Sequence, residues 1–204
     1  MPVDYLLAFA VLFTLACILW AISSYSLRRA KRNTISHLKK FAEHINASHS
    51  YSFFLDYDKA KGEHRNHSFE YKFFERRGAW LSLTILLKET LDFYIRIARK
   101  SLRESIIKGR KIDLERGDLL PFLENTLVIK TSDSKLAKAL LDSSTQAIVL
   151  RLFEDFKIAK MEINQGVLRI DISDPEIAGE KYFSTLLDIA IDFAEQAEKR
   201  VGLG

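Results

Sequence analysis

From Tyr5 to Leu27 the chain carries no charged residue, and Leu6 to Val11, then Leu12 to Ile22, are almost continuously apolar. About twenty residues at ~1.5 Å rise give a helix of roughly 30 Å, the thickness of a bilayer's hydrocarbon core, so residues 5–27 predict a single transmembrane helix. Tyr5 lies at one end of the run and Trp20 and Tyr25 near the other, where amphipathic rings prefer the headgroup level. Beyond a basic cluster, Ile35, Leu38, Phe41, Ala42 and Ile45 recur at three- and four-residue spacing. With Asn33 or Thr34 as cap, residues 34–46 predict an amphipathic connector helix that can run on from the membrane helix.

Between 51 and 100 the period becomes two. Tyr51, Phe53, Leu55 and Tyr57 alternate with other positions, as do Phe69, Tyr71 and Phe73, then Leu81, Leu83, Ile85 and Leu87, then Phe93, Ile95 and Ile97. Short connections, including Arg77-Gly78, predict a four-stranded antiparallel meander with one apolar face, its first turn being the polar stretch Asp58 to His67. Residues 101–125, with Gly109, Gly117 and Pro121, read as an irregular link. Thereafter the pattern predicts a strand at 126–131, helices at 134–141 and 145–156, and strands at 157–163 and 167–172 around an Asn164-Gln165-Gly166 turn. Asp174-Pro175 opens a last helix, 176–200, with Phe183, Leu186, Leu187, Ala190, Phe193 and Ala197 along one stripe. Strands followed by a covering helix define an α+β class, similar to a pleckstrin-homology-like roll but for the two helices before the last hairpin. Three segments follow: a transmembrane anchor (1–27), a basic juxtamembrane and connector helix (28–48), and a cytosolic α+β domain (49–204).

Composition changes the picture once the charges are located. The net charge is +4, but without Arg28, Arg29, Lys31, Arg32 and Asp4 the remainder holds 27 basic and 26 acidic residues. That balance leaves no bulk footprint for a polyanion, and no nucleic acid partner is expected. Basic residues flanking a span stay in the cytosol, so the N-terminus is expected outside and the C-terminal domain in the cytosol of a single-pass cell-membrane protein. The same four side chains are placed to touch anionic lipid headgroups. A cleaved signal peptide lacks its basic start here, and Thr14-Leu15-Ala16 fits a lipoprotein box before Cys17 poorly. Cys17 is the only cysteine, so neither an intramolecular disulfide nor a cysteine-based zinc site is available. Ala10, Thr14, Cys17 and Ala21 place small side chains on one face of the span, which suits a homodimer and is measurable by disulfide trapping through Cys17.

The segment Asn125-Thr126-Leu127-Val128-Ile129-Lys130-Thr131-Ser132-Asp133-Ser134 with the Ala/Leu helix to Leu141 resembles a family of prokaryotic membrane-anchored proteins of unknown function. Gly166-Val167-Leu168-Arg169-Ile170 and the final amphipathic helix continue the likeness, over about residues 110–200. It implies an architecture and carries no functional residue.

Candidate chemistry is sparse. His64 and His67 beside Glu63 and Glu70 make the nearest approach to a metal site, but two histidines in a polar turn without further ligands read as solvated side chains. His37 and His44, seven apart on the connector helix, could sense pH, but a surface pair of this kind reads as incidental. All five histidines precede residue 68 and no Gly-x-Ser-x-Gly elbow or phosphate-cradling glycine loop occurs. Asp133, Asp171, Asp174 and Glu176 read as helix-cap or strand-end carboxylates. No catalytic, cofactor-binding or metal-ligating residue is assigned and no cofactor is expected. The functional expectation is a membrane-anchored interaction or scaffold module working on a membrane-proximal protein. Its rival is a small membrane-tethered enzyme with residues brought together only by folding.

Overall fold

A computed structural model describes residues 3–53, 57–74, 79–89, 91, 93–100, 126–173, 175, 177 and 179–201, with backbone alone for 3–11, 22, 24–31 and 201. The link at 101–125, the Arg77-Gly78 step, Leu55, Asp174 and Glu176 lie outside the described residues.

The apolar N-terminal run and the connector form one helix, α1 (Val3–His44). Neither segment contains Gly or Pro between Val3 and His44, so nothing in the backbone interrupts the ladder. Its C-terminal end buries Thr34, Leu38, Phe41 and Ala42, while Leu12 to Ala21 are exposed throughout. Among the described residues no helix is long and apolar enough to cross a membrane. The described side chains from Leu12 onward cover only part of the charge-free run.

Among the described residues eight strands follow: β1 (Ser48–Ser52), β2 (Tyr57–His64), β3 (His67–Phe74), β4 (Trp80–Leu86), β5 (Ile95–Arg99), β6 (Leu127–Thr131), β7 (Ile158–Asn164) and β8 (Val167–Ser173). Three further helices lie among the described residues, α2 (Ser134–Leu140), α3 (Ser143–Asp155) and α4 (Glu180–Val201). All strand pairs are antiparallel in one sheet ordered β1-β2-β3-β4-β8-β7-β5-β6, an α+β architecture closed by a C-terminal helix. The apolar face and the buried sides of all four helices share one core, which includes Tyr71, Leu83, Ile97, Phe153, Ile170, Phe183 and Phe193.

Three expectations need correction. The stretch Asp58 to His67 is not a turn: Tyr57 to His64 is a strand, joined to β3 by Arg65 and Asn66 alone, both at positive φ as a type I′ turn requires. Its core positions are small because α1 closes on them; a Cβ on Gly62 would stand 2.8 Å from the Ala47 Cβ and 3.2 Å from the Phe69 ring. Small residues weaken the apolar period that marks a strand. Second, the meander is β1–β4, and β5 does not extend it, because β8 occupies the place beside β4. Third, the eight strands form one open sheet with β1 and β6 at its edges, so the pleckstrin-homology-like roll is not adopted. The β7–β8 hairpin turns at Gln165-Gly166, both at positive φ, where Asn164-Gln165-Gly166 was expected to turn.

Candidate interaction surfaces

Alternation along β2 and β3 separates the residues considered for a metal. Glu63 and Glu70 point to the sheet face away from the helices, and His64 and His67 to the helix side. Among the described residues no group of three or more His, Cys, Asp or Glu is placed to hold a metal ion. His64 and His67 instead meet carboxylates of α4. His64 Nε2 lies 2.8 Å from Asp188, Arg65 donates to Asp192 at 2.7 Å and Glu195 at 2.8 Å, and buried His67 reaches Glu198 at 3.3 Å. These carboxylates recur at four-three-three spacing, so one helical face receives the whole turn. Asp192 raises the Arg65 guanidinium through its hydrogen bond, against the opposing effect of desolvation and with help from Glu195 and Asp188. A non-glycine residue at positive φ is held here by ion pairs to another element.

The other expected positions fall as follows. His37 is half-buried and His44 exposed on α1. Asp133 caps α2, accepting from Lys135 N at 2.7 Å and Leu136 N at 3.1 Å, as its position predicts. Asp142 caps α3 through Thr145 N at 2.9 Å and pairs with Arg200 from the end of α4. Thr14, Cys17 and Ala21 are exposed, and the Ala10 side chain lies outside the described residues.

Asp171, two residues before the end of β8, caps no helix. It sits within β8 on the outer face, in the middle of the sheet, buried, accepting from Ser82 Oγ at 2.9 Å and Arg169 Nε at 2.9 Å, with Lys160 Nζ at 3.1 Å. Burial pushes its carboxyl up, but the hydrogen bonds from Arg169 and Ser82 and the charges of Arg169 and Lys160 outweigh that and hold it below the ordinary carboxylate range. A depressed carboxyl stabilises the fold above its unfolded-state value, and this contribution is lost as pH falls through the folded value. Asp171→Asn is therefore expected to destabilise by about 2 kcal/mol near neutral pH. The deficit should begin to shrink as the pH drops below about 4, where the unfolded-state carboxyl protonates, and vanish as it falls through the lower folded value. Denaturant unfolding across pH measures this, and a deficit constant down to strongly acidic pH would refute the assignment.

Asp171 belongs to an ordered outer face. Registers align Lys59, Lys72, Ser82, Asp171 and Lys160 in one row and Lys61, Glu70, Thr84, Arg169, Glu162, Arg96 and Lys130 in the next. Glu70 pairs with both Lys59, at 3.1 Å, and Lys72. Among the described residues no helix packs on this face. A third row, Tyr57, Phe74, Trp80 and Ser173, ends the sheet, with the Tyr57 and Phe74 rings 5.0 Å apart and Lys72 Nζ 5.8 Å over Tyr57. Sequence reasoning missed these rows because their members come from strands up to about a hundred positions apart.

Fold and surface together define an α+β domain whose eight-stranded antiparallel sheet is helix-covered on one side and ordered and polar on the other, with no helix packed there among the described residues. Neither a family model nor a curated protein matches the chain. Among solved structures it is similar to the crystal structure of the mycobacterial trehalose monomycolate transport factor A, TtfA. The TM-score is 0.58 over 81% of this chain and 94% of that one, at 10% identity. At that identity the likeness is one of fold alone.

Proposed function

We propose that this protein is a membrane-anchored interaction module: α1 holds the domain at the cytosolic face of the cell membrane, and the outer sheet face receives a membrane-proximal protein. One observation carries the reading. A single continuous helix is embedded in the domain core at Leu38, Phe41 and Ala42, while Leu12, Phe13, Ile18, Leu19 and Trp20 on its other part are exposed, Trp20 to 74%. Large apolar side chains left in water are unfavourable by about 25 cal/mol per Å², which a bilayer relieves. The described exposed stretch is about 15 Å long, and the full charge-free run to Leu27 supplies the rest of a span. Arg28, Arg29, Lys31 and Arg32 then retain the domain in the cytosol and lie at headgroup depth.

The outer face supports the second half of the reading. Several of its charges are paired, Lys59–Glu70 and Lys160–Asp171 across strands and Lys72–Glu70 and Arg169–Asp171 within them, so they form a patterned surface in which polar complementarity selects a partner. A photo-cross-linking amino acid at Thr84, in the middle of that face, is expected to trap a discrete adduct in native membranes. The same residue at half-buried Ser184 on the helix side is expected to trap none. Equal labelling from both positions, or none from Thr84, would remove the sheet face as the docking surface.

A further inference from the structure

The aromatic end of the sheet lies where α1 leaves the domain. The chain passes from α1 through Ala47 into β1 over the Gly62 end of β2, and Phe41 touches the rings of Phe69 and Tyr71 at centroid distances of 6.1 and 5.5 Å. α1 packs against β1, β2 and α4. From His44 back to Thr34 it rises about 15 Å, close to the roughly 17 Å from Gly62 to Tyr57 along β2. Continuing in the sense that Ala47 at Gly62 and Phe41 at Tyr71 define, α1 would reach the Tyr57 end near Thr34, the first buried residue among those whose side chains are described.

That same end carries Phe53, 81% exposed just after β1, Tyr51, 52% exposed, and Trp80, 41% exposed at the start of β4, next to Tyr57 and Phe74. From Thr34 to Leu27, the last residue of the charge-free run, is about 10 Å of helix, comparable with the 5–8 Å headgroup layer plus the reach of one aromatic side chain. We propose that this end of the sheet is a second membrane contact, with Phe53 and Trp80 seated in the phospholipid headgroup layer. The inference rests on the anchoring role proposed for α1. Aromatic rings prefer that depth, and lysines Lys59 and Lys72 stand one row behind them, toward anionic headgroups. A helix and a sheet end together fix the domain's tilt, so the outer face stands edge-on to the bilayer instead of lying on it.

The full chain carrying Trp20→Phe leaves Trp80 as the only tryptophan. It is reconstituted into phosphatidylcholine–phosphatidylglycerol vesicles, with or without lipids brominated near the headgroup end of the acyl chain. Flotation with the vesicles is read first, then Trp80 emission. Bromolipid is expected to lower that emission at least about two-fold, and Phe53→Glu to relieve most of the quenching while the chain still floats. Flotation without quenching overturns the second contact and leaves the anchor intact. Trp80 shielded from acrylamide yet unquenched by bromolipid assigns the patch to a protein partner and also overturns it. A chain that does not float overturns both.

Discussion

Replacing Phe41 with Ala is expected to destabilise the domain by about 3–5 kcal/mol, a large share of the 5–15 kcal/mol that ordinarily holds a fold together. The ring is fully buried and meets three others, Phe69 at 6.1 Å, Tyr71 at 5.5 Å and Phe183 at 5.6 Å between centroids. It thus joins α1, the sheet and α4, and truncation leaves a cavity that no single element can close. Tyr71, whose hydroxyl donates to the Phe183 carbonyl at 2.7 Å, forms the floor of that cavity. The control is Lys39→Ala two positions earlier, which loses only an exposed pair with Glu43 at 3.9 Å and is expected to change stability by less than about 0.5 kcal/mol. Denaturant midpoints of the two full-length variants in detergent decide it. Similar midpoints would mean that the end of α1 rests on the core without being part of it. A large loss at Phe41 alone means the N-terminal helix cannot swing freely, so whatever holds its exposed half also orients the sheet.

The double substitution Leu15→Arg, Leu19→Arg is expected to shift the chain almost completely from the membrane to the soluble or aggregated fraction. Each arginine near the centre of a span adds about 2.5–3.5 kcal/mol to insertion, so two exceed what a moderately apolar helix gains. Both leucines are exposed, remote from the core at Leu38 and Phe41, and folding of the domain should be unaffected. Alkaline extraction of membranes reads the first effect and the unfolding midpoint of purified protein the second. In intact cells the unsubstituted domain should also resist added protease. Retention of the double variant in alkali-washed membranes, or ready digestion from outside, would reject the anchor or its orientation respectively.

Much of the architecture was legible along the chain. The period-two runs at 69–73 and 81–87 became β3 and β4, and the residues that cap α2 and turn β7 into β8 are those their chemistry predicts. The apolar stripe of the last helix is the stripe that α4 buries, with Phe183, Leu186, Leu187, Ala190 and Phe193 inside the core. β2 escaped because Ala60 and Gly62, small to admit α1 and Ala47, carry little hydrophobic signal. The carboxylates of α4 have a visible helical spacing, but such a row ordinarily means a solvated face, and its partners His64, Arg65 and His67 lie more than 120 positions earlier.

By itself the sequence determined what depends on neighbours within a few residues: the charge-free run, the helical segments, the Asp133 cap, most strands, and the α+β class. Only the tertiary structure decided which strands pair, that β8 inserts beside β4, and that Asp171 meets Ser82, Arg169 and Lys160. Only it joined the end of α1 to the core and brought the aromatic residues of β1 to β4 to one end of the sheet. The reason is physical. Backbone geometry imprints a period on adjacent residues, whereas strand order and side-chain partners minimise exposed apolar area and unpaired charge over the whole chain at once, leaving no local trace.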